Sequence, residues 1–143
     1  MDVTSPKTQE EFTEYYNVRW KTLRGPWGRP VGSEKLDDED TAIHVMVVDE
    51  GRIVGVGRAH FNSGTEAQLR LMGVEEEYRG KGVGTMVLEE LERLAKERGA
   101  EEAVIQARDY AVDFYKKNGY EVVEKTYLLW DKIQHFKMRK NLD

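Results

Sequence analysis

The segment Val74–Thr85, VEEEYRGKGVGT, sets Arg79, Gly80, Lys81, Gly82, Val83, Gly84 and Thr85 between an apolar, strand-like run and an amphipathic one. A glycine-rich turn that opens a helix leaves several backbone N–H groups without an intrahelical acceptor. With the positive end of the helix dipole, those donors suit an anion, above all a phosphate. Glycines let the backbone approach the ligand closely. The chemistry this predicts is a pyrophosphate cradle. It is not a Walker A loop, because Lys81 is followed by Gly82 and not by Ser or Thr. It is a poor dinucleotide fingerprint as well. Thr85 stands where a third small residue belongs, and the next strand carries Gln106 and Arg108 in place of an acid.

The elements that must hold this turn are read from periodicity. Ser5-Pro6 reads as a helix start, and Phe12, Tyr15, Tyr16, Arg19, Trp20 and Leu23 keep helical spacing over Lys7–Leu23. Val31–Asp40 is an acidic loop or short helix. Ile43–Val48, Arg52–Asn62 and Glu66–Val74 read as strands joined by turns at Glu50-Gly51 and Ser63-Gly64-Thr65, an antiparallel meander. Val83–Arg98 is an amphipathic helix closed by Gly99. The strand Ala103–Ala107 comes after a strand–helix crossover and is expected parallel to Glu66–Val74. A short helix over Tyr110–Asn118 and strands at Tyr120–Lys125 and Ile133–Lys140 complete the chain. The fold class is therefore mixed α/β.

Length and composition bound the function. The 143 residues suit one domain, and a composition that is 34% charged implies a well-solvated surface. Without cysteine there is no disulfide, thiolate metal site or cysteine nucleophile, which fits a reducing, cytoplasmic setting. No metal site is expected. The first residues lack the basic and apolar regions of a signal peptide, and no apolar run reaches spanning length, so no membrane role is expected. A net charge of −5 argues against a nucleic-acid partner.

A second pattern comes after the glycine turn: Ala111-Val112-Asp113-Phe114-Tyr115-Lys116-Lys117-Asn118-Gly119-Tyr120. Arg79-Gly80-Lys81-Gly82-Val83-Gly84 resembles motif A of the GCN5-related N-acetyltransferases (the GNAT superfamily), and the later segment resembles that family's Ala-x-x-Phe-Tyr-x-x-x-Gly-Phe run. The two cover Leu69–Val123. Many relatives carry Asn where this chain has Arg108. A narrower likeness is to the ElaA-like branch, through Asp37-Asp38-Glu39-Asp40, His44, Gly55-Val56-Gly57-Arg58 and Ile133–Met138, with Lys35 and Gln134 departing from its pattern.

The resemblance implies an N-acetyltransferase that uses acetyl-CoA as co-substrate. Its fold would have a splayed slot between the two parallel strands and helices on both faces. Amides of Arg79–Thr85 would bind the pyrophosphate, with Arg108 as a further phosphate contact. The backbone around Met72-Gly73-Val74 would pair with the pantetheine arm, and Gly73 is compatible with a bulge there. Tyr115 matches the family's proton donor to the sulfur. A histidine would serve as base, with His44 first and His135 and His60 after it. Glu34–Asp40 would attract a cationic amine. The acceptor is expected to be a small-molecule or peptide amine, and the assembly a homodimer. Tyr115 and each histidine also have purely structural readings as core residues. Two other functions stand beside the enzyme: a CoA-binding module without turnover, and an interaction protein with no CoA site.

Overall fold

The computed structural model describes Met1–Asp143. Its elements are β1 (Asp2–Thr4), α1 (Gln9–Leu23), β2 (Ile43–Asp49), β3 (Arg52–Phe61), β4 (Glu66–Val74), α2 (Val83–Glu97), β5 (Glu102–Arg108), α3 (Val112–Lys117), β6 (Glu121–Leu129) and β7 (Ile133–Asn141). The strands form one seven-stranded sheet in the order β1-β2-β3-β4-β5-β7-β6. Only β4 and β5 pair in parallel; every other neighbour is antiparallel. The expected mixed α/β fold is thus observed, with the meander first and the parallel strand after the crossover.

Strand alternation divides the core in two. Ile43, Val45 and Val47 of β2 join the larger cluster with Val83, Val87, Leu88 and Leu91 of α2. Met46 of β2 packs on the other face with Ile53, Val56, and Tyr15 and Val18 of α1. Successive strand side chains point to opposite faces, so one apolar run serves both layers. The β2–β3 turn has φ of 50° at Glu50 and 80° at Gly51, the left-handed pair that a two-residue hairpin favours.

The start of α1 differs from the expected one. Thr8 and not Ser5 is the N-cap. Its hydroxyl accepts from Glu11 N–H at 3.1 Å, while the Glu11 carboxylate accepts from Thr8 N–H at 3.0 Å. This reciprocal box satisfies two donors at once. The residues before it are drawn into the sheet, where Asp2, Val3 and Thr4 pair with Val48, Val47 and Met46. Sequence pattern predicts no such strand, because three residues carry no periodicity. The segment after Arg108 is likewise divided, with a 3-10 turn over Asp109–Ala111 before α3.

Two features of β4 shape the centre of the sheet. It pairs with β5 only from Glu66 to Leu69, against Glu102 to Ile105, and the two strands then part. Just beyond, Gly57 of β3 faces both Leu71 and Met72, and Leu71 takes φ 57°. Such a bulge bends its strand. It lies at Leu71–Met72, just before the glycine that suggested it. Gly73 serves another purpose: a Cβ there would lie 2.1 Å from Thr22 Oγ1, so α1 crosses β4 closely only because residue 73 has no side chain.

Beneath α1, the acidic segment is tied to the sheet. Arg19 and Arg58, both fully buried, share Glu39: Arg19 Nη1 lies 2.7 Å from Oε2 and Arg58 Nη1 3.1 Å from Oε1. Arg58 also reaches Asp38 at 2.8 Å. Burial opposes ionisation of Glu39, but the Arg19 hydrogen bond and charge outweigh it and hold the carboxyl below its ordinary range. Because the folded pKa is the lower one, this stabilisation is present above about pH 4.5, the unfolded range, and is lost as pH falls through the folded value. Glu39→Gln leaves the buried Arg19 without a carboxylate and Arg58 with Asp38 alone, and is expected to cost about 3 kcal/mol at neutral pH. Urea midpoints should show that loss at pH 7 and a smaller one near pH 3. Equal midpoints at pH 7 would exclude the role.

Candidate active site

The parting of β4 and β5 opens the sheet, and two cavities meet there. The larger is a groove of about 850 Å³ running from the glycine turn along Met72, Gly73 and Val74 to Tyr115. The smaller, about 180 Å³, lies between β4, β5 and the β6–β7 hairpin. Leu23, Met72, Tyr110, Ala111 and Tyr115 line both.

At the far end of the groove, the backbone N–H groups of Gly80, Lys81, Gly82, Val83, Gly84 and Thr85 make no hydrogen bond within the chain; the first helical bond is Met86 N–H to Gly82 C=O. Gly82, the N-cap of α2, has φ 83° and supplies no side-chain cap. A row of unpaired donors at a helix start is a geometry that suits an anion. Arg79, Gly80, Gly82, Val83, Gly84 and Thr85 line the groove, whereas Lys81 lies outside it with its ammonium 5.3 Å from the Tyr78 ring. Arg79 Nε reaches back to the Val74 carbonyl at 3.4 Å. The two sequence motifs touch: a Cβ on Gly84 would lie 3.1 Å from the Phe114 ring, so this aromatic rests directly on the turn.

Tyr115, next in the chain after Phe114, is 8% exposed. Its hydroxyl donates only to Met72 Sδ, at 3.5 Å, a weak contact at the junction of the two cavities. Burial pushes the phenol well above its ordinary pKa, with only partial relief from the Arg108 charge. The hydroxyl therefore keeps its proton throughout the physiological range.

The histidines occupy three different settings. His44 faces α1 from β2, two strands away from β4. Its Nδ1 is 2.9 Å from Tyr15 Oη and its Nε2 2.8 Å from the Glu39 carbonyl oxygen, so both ring nitrogens are engaged, and it lines neither of the two joined cavities. His60 lies between Arg58 and Asn62, each at 3.1 Å. His135 lines the smaller cavity. Its ring stacks on Tyr127 with centroids 4.3 Å apart, and Nδ1 is 3.1 Å from the Ile133 carbonyl oxygen. A carbonyl can only accept, so Nδ1 carries the proton and, in the neutral ring, Nε2 carries the lone pair. Burial holds His135 below its ordinary pKa; the hydrogen bond to Ile133 opposes this and the Arg108 charge adds to it.

Arg108 also lies on the smaller cavity and not on the groove of the glycine turn. It donates to Tyr110 Oη at 2.9 Å and to the Leu23 carbonyl at 3.3 Å. The loops Gly25–Asp40 and Tyr127–Ile133 meet beside it through Trp27 and Trp130, whose ring centroids are 6.1 Å apart. Arg24 and Arg70 line the same cavity, and no sequence motif marks either of them. A period-two reading puts Arg70 on the outer face of a regular strand. Only the bulge beside it and the loss of β5 pairing turn that position toward an opening.

The profile of the Acetyltransferase (GNAT) family matches residues 12–120. The chain is 30% identical over 141 residues to the uncharacterised N-acetyltransferase YjcF of Bacillus subtilis (strain 168), covering 99% of this chain and 100% of that one. An aminoglycoside 6'-N-acetyltransferase complexed with coenzyme A superposes with a TM-score of 0.82 at 18% identity, over 100% of this chain and 98% of the other. ElaA of Escherichia coli superposes with a TM-score of 0.80 at 14% identity, over 97% of each chain, a likeness of fold. The protein is thus an acetyltransferase by class. The chain belongs to the GNAT family, and its likeness to YjcF extends over its full length.

The Tyr115 hydroxyl holds no strong partner, so Tyr115→Phe is expected to change stability by less than about 1 kcal/mol. Matching urea midpoints for the two proteins would bear this out, and a loss of several kcal/mol would mark the hydroxyl as structural.

Proposed function

We propose that the protein transfers an acetyl group from acetyl-CoA to a primary amine by direct attack, with donor and acceptor bound together on the two sides of the parted strands. The observation that carries this is the junction of the two cavities at Tyr115, with free amides at one end of the larger. The unpaired N–H row of Gly80–Thr85 fits a pyrophosphate. The open edge of β4 at Met72, Gly73 and Val74 fits an amide-rich arm laid along it as an added strand. When bound, acetyl-CoA supplies an activated acyl carbon.

The remaining chemistry belongs to the chain. An ammonium cannot attack, so the acceptor must lose a proton, and the leaving sulfur is helped by gaining one. His135 accepts at Nε2, directly or through water. Its low pKa keeps it in the basic form at neutral pH. Tyr115 keeps a proton at Oη that it would give to the leaving sulfur. The engaged nitrogens of His44 favour a structural part for that residue. This reading takes residues 1–143 as a single catalytic domain. A cytoplasmic setting and a homodimer come with it, on the strength of the family resemblance and the absence of cysteine.

Two measurements test the proposal. Acetyl-CoA should raise the melting temperature of the wild type, since a ligand held only by the folded state stabilises it. Gly82→Val should lose the rise, because a β-branched residue is strained at φ 83°. An unchanged shift removes the turn from the site. In acetyl-CoA consumption with an accepted amine, Tyr115→Phe should lower kcat by about a hundredfold or more with little change in the acetyl-CoA KM. Wild-type kcat/KM should fall only below about pH 6.5, the ordinary histidine range. An unaltered kcat in Tyr115→Phe would exclude the phenol as acid, and tight binding without turnover of any amine would leave a CoA-binding module.

A further inference from the structure

The smaller cavity has an unusual charge balance. Arg24, Arg70 and Arg108 line it together with His135 and Gln106, and no aspartate or glutamate does. The chain is not short of acids, with 27 against 22 basic residues. The fully buried Arg19 and Arg58 each hold carboxylates. The half-buried Arg24, Arg70 and Arg108 have no carboxylate within ion-pair distance. Glu34, which exerts a pull on Arg24, spends an oxygen on Gly32 N–H at 2.7 Å. Asp109, beside Arg108, accepts from Tyr110 N–H.

What these arginines do touch is neutral. Arg24 Nε donates to the Ser33 carbonyl, and Arg108 to Tyr110 Oη and the Leu23 carbonyl. The Trp130 face receives Arg24 at 5.5 Å and Arg108 at 5.9 Å. The Arg70 side chain makes no hydrogen bond in the chain, so all its donors are free. Repulsion among the three is felt: burial, then Arg108 and Arg70, depress the pKa of Arg24. Like charges gathered without a counterion oppose folding unless a ligand repays them.

We propose that the acceptor is a small primary amine that also carries an oxyanion, a carboxylate or a phosphate, and that Arg24, Arg70 and Arg108 hold that oxyanion. This rests on the acetyl-transfer reading of the same site. Guanidinium forks match the planar edge of a carboxylate or two oxygens of a phosphate, and such contacts are among the stronger hydrogen bonds. A cavity of about 180 Å³ admits a molecule of amino-acid size and not an oligosaccharide. The same positive field disfavours the protonated form of the bound amine, the form that cannot attack. A polycationic acceptor would be repelled. The fold shared with an aminoglycoside acetyltransferase therefore does not carry that protein's substrate to this chain, and Glu39 and Asp38, which would otherwise draw a cation, are already neutralised by Arg19 and Arg58.

The test has a binding arm and a turnover arm, both on the full chain. Melting curves are recorded at fixed ionic strength, with and without saturating CoA, and with acetate or inorganic phosphate as probe. In the CoA-saturated protein at least one probe should raise the wild-type melting temperature, and Arg24→Gln/Arg70→Gln should lose that rise while keeping the rise due to CoA. The same rise in the variant, or none in the wild type with either probe, overturns the proposal. In the turnover arm, amino acids and aminoalkyl phosphates are compared with their amides and amino alcohols, and with spermidine. Removing the oxyanion, or both arginines, should lower kcat/KM by about a hundredfold, mainly through KM. Equal or faster acetylation of neutral or cationic members overturns it, and which oxyanion is preferred separates carboxylate from phosphate. A wild type that CoA does not stabilise counts against the cofactor reading instead, and the probe shifts without CoA still decide whether the arginines bind an oxyanion.

Discussion

The site depends on one interruption. β4 and β5 pair for four residues and then separate, because a two-against-one bulge at Leu71–Met72 bends β4 while β5 runs on beside β7. A sheet that stayed closed would satisfy its own backbone groups and leave no edge to offer. Every feature at the centre of the molecule is a neighbour of this gap. The groove approaches it from the glycine turn, the arginine-lined cavity adjoins it, and Tyr115 stands between. The close crossing of α1 over Gly73 holds the bent strand in place, which is why a residue suggestive of a bulge turns out to govern packing.

Charge is arranged in two populations. Under α1, arginines and carboxylates neutralise one another in a cluster with Tyr15 and His44. At the gap, arginines stand without carboxylates and lean on carbonyls and an indole face. The difference is one of counterions. The first cluster is balanced in charge, although Arg19 Nε, Glu39 Oε1 and Arg58 Nε and Nη1 keep no hydrogen-bond partner, whereas the second carries its charge without a counterion.

Much of this fold is legible in the sequence, and the reasons are specific. The meander, the crossover helix and the parallel strand come from alternation, turn residues and the apolar stripe on α2. The cradle is readable because it is local: Gly80–Thr85 are consecutive, and their missing acceptors are dictated by helix geometry alone. Roles that depend on distant neighbours are not readable. His44 and His135 are both single histidines at strand positions, and only the sheet order separates the one held by Tyr15 and Glu39, on a different cavity, from the one beside the gap between β4 and β5. Arg24 and Arg70 lie far apart in the chain, in a helix cap and a strand, and no spacing rule joins them. The capping box at Thr8–Glu11 is present in the sequence, but the neighbouring Ser-Pro signal outweighs it.

The contact between Gly84 and the Phe114 ring has a consequence for how this chain can change. The two residues belong to different helices, yet neither can be altered in size without the other yielding. A larger residue at 84 would push α3, and with it the adjacent phenol, away from the gap, and a smaller one at 114 would leave the turn unsupported. The two motifs therefore pack as a matched pair. Exchanging one of them alone with a distant relative would be expected to disturb proton donation even though no reacting group had been touched.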